Sequence, residues 1–321
     1  MIRRFEVQPV PVLHGAPPVR RIMGEVLLAL LPAVAVQAFF HGIGIFIQIA
    51  LACAFALAFE ALGLRLRGQP QRPFLHDLSA PLTAVLFALC VPPDTPWWAS
   101  LTAMAAGILV AKQAYGGLGA NLFNPAMVGY AVVLVCFPAE LARWPVPGQA
   151  DPATTLAAVF GLGPAIDAVA GPTPLDAFRH GLPLPPGPQP APALAAAFLA
   201  GGILLLARGI IHLRQPAAML LGCVLLALPG WLADPQHAAS PWFHLLHGGT
   251  LLAAFFVVTD PVTGCASPRG QWLFGLGVGA LTVLIRQFGH YPDGIAFAVL
   301  LMNCAAPLID LHLRPRRSAP E

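Results

Sequence analysis

Ten apolar segments can be marked along this chain, at about 23–40, 43–59, 78–92, 96–111, 125–141, 191–208, 216–232, 247–260, 271–288 and 292–311. A helix that crosses a bilayer needs roughly 20 apolar residues, fewer if it starts or stops inside protein. Several of these segments are shorter than that. The third ends in Pro92-Pro93 and the eighth in Asp260-Pro261. Proline removes a backbone donor and disfavours helix at the residue before it, so both segments read as broken or partial helices. Such backbone is tolerated in a membrane where protein or a polar cavity satisfies it. The pattern predicts an all-α, polytopic membrane protein with about ten transmembrane helices.

Charge placement adds an orientation. With ten crossings and a cytoplasmic N-terminus, 14 of the 17 basic residues fall on the cytoplasmic side, and Arg143, Arg179 and Arg286 fall outside it. That bias follows the positive-inside rule, and deleting any one crossing would spoil it. Composition agrees: 57% of the 321 residues are hydrophobic and 10% are charged, against about 25% charged in soluble domains. The basic residues form no long stripe, which argues against nucleic acid as a partner. The six cysteines contain no CxxC pair, so neither a disulfide scaffold nor a cysteine metal cluster is expected. His244 and His247 could share a helix face, but two ligands make a weak metal site.

One long polar segment, 142–190, holds 11 prolines in 49 residues. It separates five apolar segments from five. The expected organisation is a first five-helix half with its N-terminus (1–141), an external loop (142–190), and a second half with a basic tail (191–321). Residues Ala165–His180 read as a small ordered element within the loop. The halves echo one another: Leu82–Pro92 reads LTAVLFALCVP and Leu251–Pro261 reads LLAAFFVVTDP. Five crossings per half would make them inverted repeats, and paired interrupted segments point to a site near mid-membrane.

Three stretches are candidate sites. In Lys112–Pro125, three glycines permit close backbone approach, and Asn121 and Asn124 offer amides between two apolar runs; an ordinary glycine-rich loop is the plain alternative. In Thr259–Gly270, Asp260 ends an apolar helix, and an ionisable group at membrane depth is a functional candidate. The same argument touches Asp77, Asp293 and Asp310. In Asp167–Asp176, spacing alone makes Thr173 a loop threonine that caps a short helix. There is no Walker motif, no GxGxxG and no hydrolase triad.

These stretches also resemble a known family. Lys112–Pro138 (KQAYGGLGANLFNPAMVGYAVVLVCFP), Thr259–Gly270 (TDPVTGCASPRG) and Tyr291–Asp310 (YPDGIAFAVLLMNCAAPLID) are similar to the D subunit of Rnf ion-translocating oxidoreductases, a relative of the B subunit of sodium-translocating NADH:quinone reductase. The resemblance runs from about Arg20 to Arg314. It implies a flavin mononucleotide (FMN) joined through its phosphate to a threonine that ends a D-x-x-[ST]-G-A-T motif. Here the aspartate is Asp167, the glycine Gly171 and the acceptor Thr173; Ala170 and Pro172 depart from the pattern. It allows a second, non-covalent flavin, for which Gly117, Asn121, Asn124 and Asp260 are the candidate contacts.

The implied role is a flavin-bearing subunit that relays electrons between NAD(H)- and ferredoxin-type carriers while ions move across a bacterial inner membrane. The implied topology has cytoplasmic termini and a periplasmic central loop. The implied partners are other Rnf-type membrane subunits, a second covalent-flavin subunit, iron–sulfur subunits and a flavin transferase for maturation. No catalytic residue and no metal site is implied for this chain, and either sodium or protons fit as the coupling ion. A self-contained inverted-repeat transporter without redox activity and a structural assembly subunit are the alternative readings.

Overall fold

The computed structural model describes residues 18–148, 151–162, 170–183, 189–289 and 291–313. Each of the ten apolar segments contains a helix. In chain order they are α1 (Val19–His41), α2 (Gly44–Leu66), α3 (Ser79–Ala88), α4 (Trp97–Met104, widening into a π-helix over Ala105–Gln113), α5 (Pro125–Cys136), α6 (Pro190–Ala207), α7 (Arg214–Ala233), α8 (Thr250–Leu252, widening over Ala253–Val257), α9 (Pro268–Phe288) and α10 (Ile295–Leu313). Five of them, α1, α2, α6, α7 and α10, are long and apolar enough to cross a membrane unaided. Large apolar side chains such as Phe39, Leu66, Leu225 and Leu308 point outward and are exposed, as a lipid-facing surface requires.

Among the others, α3 and α8 are short because the sequence stops them. α3 ends before Pro92-Pro93 and α8 before Pro261. Both also start abruptly. The residue before α3, Leu78, has φ +66°, and the residue before α8, Gly249, has φ +71°. Leu78 is the one non-glycine residue at positive φ among the described residues, a conformation that L side chains seldom take. Starts elsewhere are capped in the ordinary way. Asn124 accepts from the N–H groups of Ala126 and Met127 with Pro125 at the first position of α5, and Ser267 accepts from Gly270 N–H ahead of Pro268 in α9.

The first and the fifth helices of the two halves pair by rank. α1 packs on α6, the first helix on the first, and α5 packs on α10, the fifth on the fifth. Within the second half, α7 and α9 make the most extensive contact. Glycines set that approach. A Cβ at Gly275 would stand 2.7 Å from Gln215 O, and one at Gly279 would run into Met219 O. Small residues four apart let helix backbones touch in lipid, where dispersion rather than water exclusion drives association.

Between α5 and α6, the chain forms three further ordered pieces among the described residues. They are helices Pro138–Ala142, Pro152–Phe160 and Pro174–His180. A two-residue antiparallel ribbon, β1 (Trp144–Pro145) with β2 (Ala170–Gly171), pairs Trp144 with Gly171. The ordered element expected at 165–180 is therefore present from Ala170 onward. Asp167 lies outside the described residues.

Replacing Gly279 by valine should force α7 and α9 apart. Overpacking of this kind costs about 1–3 kcal/mol, and the detergent-solubilised variant is expected to melt at a lower temperature than the parent, while a valine at lipid-facing Leu225 leaves melting nearly unchanged.

Candidate functional site

Two cavities lie at opposite ends of the helical body, and the starts and stops of the short helices form their walls. The first has a volume of about 210 Å³ and is lined by Gln37, His41, Tyr130, Trp144, Thr173 and Asp293, among others. Thr173 reaches it from the loop helix Pro174–His180. Its Oγ1 accepts from Asp176 N–H at 3.1 Å and donates to Asp176 Oδ2 at 2.7 Å. The plain expectation of a helix-capping threonine is thus met, and the same side chain also opens onto the cavity. Gly171 stands in β2, two residues upstream, off the cavity lining.

The loop helix is pinned to the membrane body. Arg179 donates to Tyr291 O at 2.9 Å and to Arg286 O at 2.8 Å, so the end of α9 holds Thr173 in place. Phe178 packs on Phe243, whose ring stacks on His247 at 4.3 Å. Below this lies Arg286, buried, with every side-chain nitrogen engaged. It donates to Asp293 Oδ1 at 2.9 Å and Oδ2 at 3.2 Å, to Thr250 Oγ1 at 3.1 Å, and to the carbonyls of His244, His247 and Gly248. Asp293 in turn accepts from Gly294 N–H and starts α10.

The second cavity, about 270 Å³, is lined by Ser79, Lys112, Asn121, Asn124, Asp260 and neighbouring apolar side chains. Three of the four residues expected to contact a second flavin line it. The exception is Gly117, which adopts φ +93° in the loop beside Arg67. Asp260 accepts from Val262 N–H and Thr263 Oγ1, each at 3.0 Å, and from Asn124 Nδ2 at 3.4 Å. Asn303 completes the junction, accepting from Asn124 N–H at 3.1 Å and donating to Thr263 O at 3.0 Å. Asn121 donates to Phe123 O, while its buried Oδ1 has no partner among the described residues.

A buried ion pair escapes sequence reasoning. Glu60 and Lys112 form an ion pair at 2.8 Å, both 1% exposed, and Lys112 also donates to Ser79 Oγ at 2.8 Å. By charge placement Lys112 reads only as a cytoplasmic basic residue. Glu60 lies in CAFALAFEALG, and a lone carboxylate in an apolar run is the available signal. Asp310, a candidate on depth alone, is a local cap: it accepts from Ala266 N–H, Ser267 N–H and Ser267 Oγ.

These features define a multi-pass helical membrane protein with two largely apolar cavities, each bordered by a few polar side chains. The chain belongs to the NQR2, RnfD, RnfE family, whose model matches residues 6–319. It is 43% identical to a protein of Cronobacter sakazakii named as the D subunit of the ion-translocating oxidoreductase complex, over 97% of this chain and 98% of that one. Proteins of the same name from Ectopseudomonas mendocina and Escherichia fergusonii are 43% and 42% identical, covering 95% and 97% of this chain and 93% and 97% of their own.

Removing one partner of the Glu60–Lys112 pair strands the other as a buried charge, at a cost of about 3–5 kcal/mol. Glu60→Leu and Lys112→Met are each expected to lower the melting temperature sharply. The double variant should recover much of the loss, and a double-mutant cycle in detergent reads the coupling directly.

Proposed function

We propose that this chain is the membrane subunit of an ion-translocating oxidoreductase complex and carries FMN as a phosphoester on Thr173. The relatives' shared name supports the role in a complex that couples electron transfer to ion movement. The observation that carries the flavin reading is the position of Thr173. Thr173 lines a largely apolar cavity together with Gln37 and His41, whose buried Oε1 and Nδ1 have no partners among the described residues. Buried polar atoms are ordinarily satisfied, so the wall fits a ring system with polar edges.

Within that reading, Thr173 supplies the anchoring oxygen. Arg179 and the Phe178–Phe243 contact hold the anchor over the cavity. Apolar side chains of α6, α8 and α10 line it. When bound, the flavin supplies one- and two-electron transfer, and the protein sets its position and electrostatics. The second cavity fits a non-covalent flavin on the same kind of ground: Asn121, whose buried Oδ1 has no partner among the described residues, lines it together with Asn124, Asp260 and Lys112.

The same proposal includes ten membrane crossings in two inverted halves. Support comes from matched contacts. Near the end of the fourth helix in each half, a buried cation, Lys112 or Arg286, donates to a hydroxyl on the first residue of the third helix, Ser79 or Thr250. Each of those helices follows a residue in the left-handed conformation. With the basic residues inside, Thr173 is periplasmic, Asp260 lies toward the cytoplasm, both termini are cytoplasmic, and the membrane is the bacterial inner one. The partners are the other Rnf-type membrane subunits, a second covalent-flavin subunit, iron–sulfur subunits and a flavin transferase.

Co-expression with the cognate flavin transferase should give a fluorescent band at the size of this chain after denaturing electrophoresis. Thr173→Ala is expected to abolish the band and Thr173→Ser to retain it, with the added mass on the peptide containing residue 173. A band that persists in Thr173→Ala sinks the site, and its absence from the parent chain sinks the covalent flavin.

A further inference from the structure

The wall of the Thr173 cavity holds more than the anchor. Gln37 and His41 stand one turn apart on α1, each only 2% exposed. The His41 ring lies edge-on to Trp144, with centroids 5.8 Å apart, which fixes its plane at the cavity wall. Neither Gln37 Oε1 nor His41 Nδ1 has a hydrogen-bond partner among the described residues.

Asp293, Thr250 and Thr173 in the same wall are already engaged. Asp293 accepts from Arg286 and from the first N–H groups of α10. Thr250 Oγ1 donates to His244 O at 2.6 Å and accepts from Arg286. Thr173 Oγ1 is the anchoring atom itself.

We propose that Gln37 and His41 bind the polar edge of the flavin ring system, which rests on the reading of Thr173 as its attachment point. An isoalloxazine ring presents an imide edge, with a carbonyl, an N–H and a second carbonyl in series. A carboxamide matches that edge whichever way it is turned, its oxygen taking the N–H or its nitrogen serving a carbonyl. A neutral imidazole offers one donor or one acceptor at Nδ1 according to tautomer, and the cavity fixes which is used. In a low-dielectric pocket, a donor aimed at a ring oxygen stabilises the charge added on reduction more than the oxidised ring, so it raises the reduction potential. The unpartnered atoms burden the flavin-free protein and are answered when the ring arrives, the pattern expected of a site kept for binding rather than for stability.

The test uses the full-length chain, produced with and without the flavin transferase. Gln37→Leu and His41→Phe keep apolar bulk while removing the polar atoms; His41→Asn keeps a polar group near Nδ1. The flavin-free Leu and Phe variants should melt at or above the parent's temperature. With the transferase, both should carry flavin on Thr173 by fluorescence and peptide mass, but with a shifted visible spectrum and a shifted midpoint potential, to more negative values where the lost group donated to a ring oxygen; His41→Asn should recover part of the shift. Loss of attachment in a variant whose flavin-free form melts normally also supports ring recognition. Flavin attached with unchanged potential and spectrum in the Gln37→Leu/His41→Phe double variant overturns the assignment, as does lowered melting of the flavin-free variants without any such shift. A parent chain that carries no covalent flavin overturns the attachment reading and this assignment with it.

Discussion

A cation buried among membrane helices must bring its own partners, and two such cations organise this protein. In water an exposed lysine or arginine is nearly free of structural consequence. In a bilayer core an unpaired one is costly. Lys112 and Arg286 meet the requirement by the same device, reaching from the end of a fourth helix to the first residue of a third and to a carboxylate, Glu60 or Asp293. These contacts fix where the short helices α3 and α8 begin, and prolines fix where they end. Ser79 and Lys112 then stand in the wall of one cavity, and Thr250 and Asp293 in the wall of the other. The interactions that keep the charges satisfied therefore also shape the sites.

The cavities are not independent. Asn124 caps α5, touches Asp260 at the end of α8, and receives Asn303 from α10. A ligand that moved Asp260 would load helices that also wall the Thr173 cavity, since α8 and α10 line both the junction and that space. Coupling between electron transfer and ion movement requires such a shared element, because each site must bias the same structural equilibrium. On the far side, Arg179 joins the loop helix that begins after Thr173 to α9, the helix that carries Arg286.

Much of this is legible in the sequence because lipid makes hydropathy a direct reading of position. All ten apolar segments hold helices, and the prolines after α3 and α8 stop them where expected. The capping role of Thr173 follows from its place before Pro174. Other features are hidden because one sequence does not reveal which side chains meet. Glu60 and Lys112 are 52 residues apart, and Arg286 looks like an exception to the charge bias until its partners come into view. Helix Pro152–Phe160 escapes the hydropathy pattern, although Asp151-Pro152 is a cap followed by a first-turn proline. Gln37 and His41 carry no signal, since a single glutamine and histidine in an apolar run read as tolerated polar residues until the cavity beside them is seen.

The central claim is that the Thr173 cavity and the Asp260 cavity open toward opposite faces of the membrane, with Thr173 outside the cell. Single cysteines at exposed Phe178 and at exposed Tyr115, introduced after the six native cysteines are replaced, test it with a membrane-impermeant maleimide on intact spheroplasts. Phe178→Cys should label before lysis and Tyr115→Cys only after it. Labelling of Tyr115→Cys alone in intact spheroplasts, or of both positions from one side, would contradict the account.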